Sequence, residues 1–254
     1  MKIACWNVNS LKVRLPHLLD WLLANPVEVI CLQETKTEDR GFPFADLLAA
    51  GYHAVHNGQK TYNGVAILSR SPPEDVRFDI PGFADEQKRV AAATIDGVRI
   101  VCAYMPNGQA VGSDKYDYKL RWLAALNAAL RDDLHRWPRL ALLGDYNIAP
   151  EDRDVHDPAA WKDQILCSEP ERGAFREFLR LGLSDAFRLF EQPPKSYSWW
   201  DYRQMGFRQN RGLRIDHILL SAPLAAKCRA CAIDKSPRKL ERPSDHAPVI
   251  ATLE

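Results

Sequence analysis

Short apolar runs separated by turn residues dominate the chain, and their spacing is that of strands. Residues 3–6, 27–32, 52–55, 65–69, 90–95, 98–104, 140–143, 215–221 and 249–253 each read as a strand. Several are apolar throughout, as strands covered on both faces are. Elsewhere the apolar positions switch to helical spacing. Leu11, Leu15, Leu18, Leu19 and Leu22 form one stripe after a Ser10 placed to cap it. Leu120, Leu123, Leu126, Leu130 and Leu134 form a second, and a third helix is expected over 171–181. Asp96-Gly97 between two strand runs is a two-residue hairpin signal, so the sheets are at least partly antiparallel and a plain doubly wound fold is excluded. These elements predict an α/β protein with two mixed sheets packed face to face and helices outside. No Gly/Ser run, Pro-rich spacer or low-complexity block interrupts the pattern, which makes 1–254 a single domain by expectation.

Composition narrows the class. At 46% hydrophobic and 26% charged residues the chain is neither a disordered tail nor a fibre. No apolar stretch approaches the roughly 18 residues that a membrane span needs. Met1-Lys2 leads into a strand without a signal-peptide core, so a cytoplasmic protein is expected. The six cysteines are scattered, four of them inside apolar runs, which suits free thiols in a reducing compartment. Cys228-Arg-Ala-Cys231 has no second pair nearby and reads as thiols at a strand edge rather than as zinc ligands.

The net charge of +1 is uninformative until it is mapped. Between Lys195 and Arg242 there are 11 basic and 4 acidic residues, a local +7, so the remainder carries −6. Tyr197, Trp199, Trp200, Tyr202 and Phe207 are interleaved there with Arg203, Arg208, Arg211 and Arg214. That mixture suits bases and sugars packed beside neutralised phosphates.

Polar residues with chemistry to offer fall at the ends of the strand runs, where loops gather at one rim of a sheet. They are Asn7 and Asn9, Gln33-Glu34, Tyr104 and Asn107, Asp145 and Asn147, and Asp216 with Asp245-His246. Together they make the set that phosphodiester hydrolysis requires. A hard divalent ion takes carboxylate and amide oxygens, for which Glu34, Asp245 and Asn9 fit. An attacking water needs a carboxylate, or a histidine held by a second carboxylate, and Asp145 and the Asp216/His246 pair are the candidates. Charge building on phosphoryl oxygens needs donors, which Asn147, Asn7 and Tyr104 supply. No nucleophile elbow, phosphate-cradling glycine loop or dinucleotide fingerprint supports a rival chemistry.

Asn7-Val-Asn9, Leu32-Gln-Glu-Thr-Lys36, Tyr104-Met-Pro-Asn107, Gly144-Asp-Tyr-Asn-Ile-Ala-Pro150, Ser198-Trp-Trp-Asp-Tyr-Arg203, Asn210-Arg-Gly-Leu-Arg-Ile-Asp216 and Ser244-Asp-His-Ala-Pro248 stand in this order along the chain. In this it resembles the exonuclease III/abasic-site endonuclease family of the endonuclease/exonuclease/phosphatase superfamily. The resemblance implies a four-layer, deoxyribonuclease I-like sandwich, Mg²⁺ with Mn²⁺ able to substitute, and double-stranded DNA with abasic sites or 3′ ends as substrate, handled by a monomer. Mapped onto matching positions, Glu34 is the main metal ligand with Asn9 and Asp245 nearby. Asp145 activates water, Asn147 orients it, and Asp216 holds His246 in one tautomer; either Asp145 or His246 is the base. Tyr104 and Asn7 bind phosphoryl oxygens, Asn107, Arg203 and Arg211 contact substrate, and Trp199 with Leu213 walls a pocket for a sugar lacking its base. One of Trp199 and Trp200 is expected in the core. Cys167 is expected beside that pocket, small enough to leave it open. Gly108-Gln109-Ala110 follows Asn107 without the arginine some family members carry, so insertion into the minor groove is not expected. The rival readings are a 3′ exonuclease with little abasic-site activity, a nonspecific nuclease or inositol phosphatase, and a catalytically silent DNA-binding module; the last would have lost Glu34, Asp145 or His246.

Overall fold

Strands that are apolar on both faces need cover on both, and the chain supplies it with two stacked sheets and helices outside them. The computed structural model describes residues 1–254. In chain order the elements are β1 (Lys2–Asn7), α1 (Leu11–Ala24), β2 (Val29–Gln33), α2 (Phe44–Ala49), β3 (His53–Asn57), β4 (Val65–Ser69), β5 (Glu74–Arg77), β6 (Val90–Ile95) and β7 (Val98–Tyr104). There follow α3 (Asp114–Arg136), β8 (Leu140–Asp145), α4 (Pro158–Trp161), α5 (Glu169–Arg180), β9 (Leu183–Asp185), β10 (Asp216–Ser221), α6 (Ala222–Ala225), β11 (Cys228–Ile233) and β12 (Val249–Leu253).

One sheet has the order β11-β12-β1-β2-β4-β3 and the other β5-β6-β7-β8-β10-β9. In each, the central pair is parallel, β1 with β2 and β7 with β8, and every other pairing is antiparallel. Side chains alternate across each strand. Ile3, Cys5, Val29 and Cys31 of the first sheet meet Ala93, Ile100, Cys102 and Leu143 of the second in the layer between them. Their neighbours Ala4, Trp6, Ile30 and Leu32 pack under α1 and α2, while Val101, Leu140 and Leu142 pack under α3 and α5. This is the expected four-layer α/β arrangement. All six cysteines are free and buried.

The Asp96-Gly97 turn joins β6 to β7 with both residues at positive φ, 50° and 74°, as a two-residue hairpin of this kind requires. Ser10 departs from expectation. Its side chain makes no cap bond to α1; instead its N–H donates to Glu34 O (2.8 Å), and Leu11 N–H donates to Thr35 O (3.1 Å). The orphan amides at the helix start are thus satisfied by the loop after β2, which fastens α1 to the carboxylate-bearing rim. α3 begins earlier than its leucine stripe, at a true cap: Ser113 Oγ accepts from Tyr116 N–H at 3.2 Å.

Candidate active site

Strand register brings the nominated residues to one rim. In the first sheet Asn7 lies beside Gln33, the residue before Glu34. In the second, Tyr104, Asp145 and Asp216 stand side by side on three neighbouring strands. Gly144 makes this possible. At φ 149° its backbone lies so close to β7 that a Cβ would sit 1.9 Å from Ala103 O, so no other residue fits before Asp145. Asn9, Glu34 and Asn147 all take left-handed backbone conformations, at φ 43°, 52° and 51°. Such conformations cost an L-residue about 1 kcal/mol or more, and their concentration here marks a rim whose geometry is imposed by its surroundings.

Asn7 is fully buried and joins the two sheets. Its Nδ2 donates to Glu34 Oε1 (2.8 Å) and Asp145 Oδ2 (3.0 Å), while its Oδ1 accepts from Asn9 N–H (3.0 Å). With every polar atom engaged, it clamps two carboxylates rather than facing the cavity. His246 Nδ1 lies 2.9 Å from Asp216 Oδ2, and its Nε2 lies 3.7 Å from Asp145 Oδ2. Burial alone would strip the imidazole of its proton, but the charges of Asp216 and Asp145 outweigh it and raise the pKa to about 10. Burial pushes Asp145 up to about 7 against the attraction of His246. Tyr104 is held well above its ordinary value by burial and by the charges of Glu34 and Asp145, so its phenol keeps its proton.

Asp245 accepts from Trp199 Nε1 (3.0 Å) and from Asn9 Nδ2 (2.9 Å). Burial would raise its pKa, yet the His246 charge and these two donors hold it below the usual carboxylate range. Lys36 Nζ sits 2.8 Å from Glu34 Oε2 and donates to Asn9 Oδ1 at 2.6 Å. Glu34, Asp145 and His246 bring possible ligand atoms within 4.8 Å of one another. Asn9 and Asp245, nominated from sequence beside Glu34, stand on the same rim, engaged with Lys36, Trp199 and each other.

Beside this polar rim opens a cavity of about 520 Å³. Tyr104, Asn147 and His246 line it together with the apolar side chains Trp161, Ile165, Leu166, Trp199 and Ile215. Asn107 stands at the edge, donating to Asn147 Oδ1 at 3.2 Å, and Arg203 extends beside it, almost fully exposed. Trp200 is the tryptophan in the core, fully buried against Phe207, while Trp199 faces the cavity. Leu213 is not part of the wall. It is fully buried one layer behind, bonded backbone to backbone with Trp199, and Ile215 and Leu166 take the place expected of it. Cys167 also lies behind the wall, packed with Val155, Leu166 and Leu213. Arg211 reaches back to Gln204 O at 2.5 Å.

The basic segment is likewise only partly a surface. Tyr197 is buried, and Arg214 is buried between Asp154 and Asp185, 2.7 and 2.8 Å away. Lys227 and Arg229 lie at the opposite end of the first sheet, beside Leu253 and Glu254. Sequence reasoning missed Lys36, Trp161, Ile165, Leu166 and Ile215. Only Lys36 carried a signal, a cation two residues from Glu34 on the same loop; the apolar four were indistinguishable from core.

Two mixed sheets that present carboxylates, amides and an imidazolium beside a partly apolar cavity have the parts of a phosphoesterase. The chain belongs to the Endonuclease/Exonuclease/phosphatase family, whose profile matches residues 4–246. It is 35% identical to Exodeoxyribonuclease III of Haemophilus influenzae over 99% of each chain. Its fold superposes with a TM-score of 0.98 on the 3′ phosphatase NExo from Neisseria bound to product DNA hairpin, at 49% identity, covering 100% of this chain and 99% of that one. An AP endonuclease from Archaeoglobus fulgidus gives a TM-score of 0.96 at 39% identity, covering 100% and 99%. The protein is a hydrolase, a nuclease of DNA repair acting on DNA, in a family that depends on divalent metal.

Proposed function

We propose that the protein is a repair phosphodiesterase that cuts duplex DNA 5′ of abasic sites and also removes nucleotides or blocking groups from 3′ ends, working as a cytoplasmic monomer with Mg²⁺. One observation carries the reading: the phosphate-handling residues Tyr104, Asn147 and His246 and an apolar wall of Trp161, Ile165, Leu166, Trp199 and Ile215 line a single cavity. A deoxyribose without its base presents little to hydrogen-bond and suits such a wall, and the phosphate beside it meets the polar residues.

The rim suits a hard dication. The carboxylates Glu34, Asp145 and Asp245 and the amide oxygen of Asn9 are hard oxygen donors gathered at one rim, and Lys36 already shows a cation seated between Glu34 and Asn9. Glu34 would hold the ion, with Asp145, Asn9 and Asp245 as the further oxygen donors on this rim. When bound, it would neutralise charge on the phosphoryl oxygens. The protein's own groups divide the remaining work. Asp145, with a pKa about 7, takes the proton of the attacking water as the new P–O bond forms. Asn147, whose N–H donates to Asp145 Oδ1 at 2.9 Å, keeps water and carboxylate in register. His246, held as imidazolium by Asp216, and Tyr104, held as phenol, donate to the phosphoryl oxygens while the bond to the departing oxygen breaks.

The test is a panel of labelled substrates with Mg²⁺ or chelator: an abasic-site duplex, a recessed 3′ end, a 3′-phosphate and an inositol polyphosphate. Cleavage of the first three in Mg²⁺ alone is expected. A second reading, action at 3′ ends only, has support in the relative named a 3′ phosphatase at 49% identity. Strong 3′-end activity with no abasic incision would favour it.

A further inference from the structure

Lys119 on α3 and Glu171 on α5 form an ion pair with no exposure at either side chain. On α3 the lysine interrupts a stripe that otherwise buries Trp122, Leu123, Leu126 and Leu130. Its ammonium has three protons and three partners: Glu171 Oε1, Asn147 O at 2.7 Å and Asn107 O at 3.2 Å. Glu171 spends its remaining capacity on Leu166 N–H (3.0 Å), Ser168 N–H (3.1 Å) and the Ser168 hydroxyl (2.5 Å). The pair therefore fastens three separate loops, and each sends a side chain to the cavity: Asn107, Asn147, and Ile165 with Leu166.

Stability does not account for it. A buried ion pair is on average no better for stability than a well-packed apolar pair of the same volume, because desolvation offsets the attraction. Geometry does account for it. The carbonyl of Asn147 and the amide of Leu166, on two different loops that line the cavity, are pinned to the two ends of one pair about one hydrogen bond apart. A neutral pair would hold neither carbonyl with comparable strength.

We propose that Lys119 and Glu171 are a positioning pair that fixes the span between the phosphate-side residues Asn107 and Asn147 and the apolar wall at Ile165 and Leu166. They thereby control both turnover and the preference for an abasic sugar over an ordinary 3′ end. Neither touches substrate, and the proposal rests on the functional reading above.

The test is Lys119→Met/Glu171→Gln, assayed well below its melting temperature. A fall in kcat of at least about tenfold with KM within about twofold is expected, since small misplacements are felt mainly in the transition state. The ratio of abasic to 3′-end cleavage should shift as well, and Lys119→Arg, which keeps the charge, should recover part of both. A kcat within about twofold of the unmodified protein, or a lower kcat with the substrate ratio untouched, overturns the proposal. If the neutral pair fails to fold, hydrogen exchange on the unmodified protein decides. Leu166 and Ser168 amides should exchange as slowly as those of β8, and exchange at exposed-loop rates overturns it. An unmodified protein that cleaves no DNA sinks the functional reading instead, which keeps the two failures apart.

Discussion

His246 keeps its proton because two carboxylates face it, and that has a measurable cost as pH rises. Its folded pKa is about 10 against 6.5 in the unfolded chain, so its contribution to stability is complete below pH 6.5 and is lost as pH climbs through 10. In chelator, the melting temperature should therefore fall between pH 7 and 10, and His246→Gln should flatten that decline. An equally steep decline in the variant would assign it to another group. Trp199 gives a second single-residue test: Trp199→Ala should lower abasic incision more than removal from a recessed 3′ end, since only the former uses the whole wall. Polar residues were legible at this scale because the ends of strand runs announce them. From sequence Asn7 reads as a phosphate contact, since an amide sits at the rim; that both its protons are spent on Glu34 and Asp145 shows only in the fold. Leu213 was misplaced for a related reason. Leu213 and Ile215, two apart, are equivalent by strand periodicity, and only the backbone pairing of Leu213 with Trp199 sets it behind the cavity that Ile215 lines.

Among the elements, every strand absent from the sequence reading lies at a sheet edge. β5, β9 and β11 each pair on one side only; β5 is largely exposed, β9 spans three residues, and β11 carries a bulge at Cys228/Ala230. An edge strand needs neither length nor continuous apolar character, so periodicity has little to detect. The interior strands were legible because burial on both faces leaves no other composition open to them. The segment from Lys195 to Arg242 shows the limit of charge as a guide, since a count cannot tell an arginine facing solvent from one facing Asp154. Arg203→Ala should reduce the dependence of duplex binding on log salt by about one unit if the side chain meets a phosphate, with stability changed by no more than about 0.5 kcal/mol. Arg214→Met should do the reverse, costing about 3–5 kcal/mol by stranding Asp154 and Asp185 without a counter-charge. Binding titrations over a salt series and urea unfolding distinguish the two; equal effects would mean that burial does not separate their roles.

Across the whole molecule the two sheets repeat one pairing pattern, and the site is shared between them, Glu34 and Asn7 from the first and Tyr104, Asp145 and Asp216 from the second. An ion held by Glu34 and Asp145 would bridge both sheets, so metal should raise global stability, by about 2.7 kcal/mol at a free concentration a hundred times its Kd. Because a proton on Asp145 with a pKa about 7 competes for the same oxygens, metal affinity should rise from pH 6 to pH 8. Calorimetry with Mn²⁺ at the two values checks this, and a pH-independent affinity would exclude Asp145 as a ligand. The bond from Asn7 to Asp145 also fixes when activity can return after denaturation. Within either sheet hairpins can close locally, but β1 must find β12, whose contact between Met1 and Leu253 spans 252 positions of chain, and the sheets must then dock before Asn7 meets Asp145. Strand signal should thus recover ahead of cleavage in a refolding experiment. A cleavage assay on a crude extract consequently counts only molecules that have completed the last step of folding, and is blind to any that stalled with both sheets formed but apart.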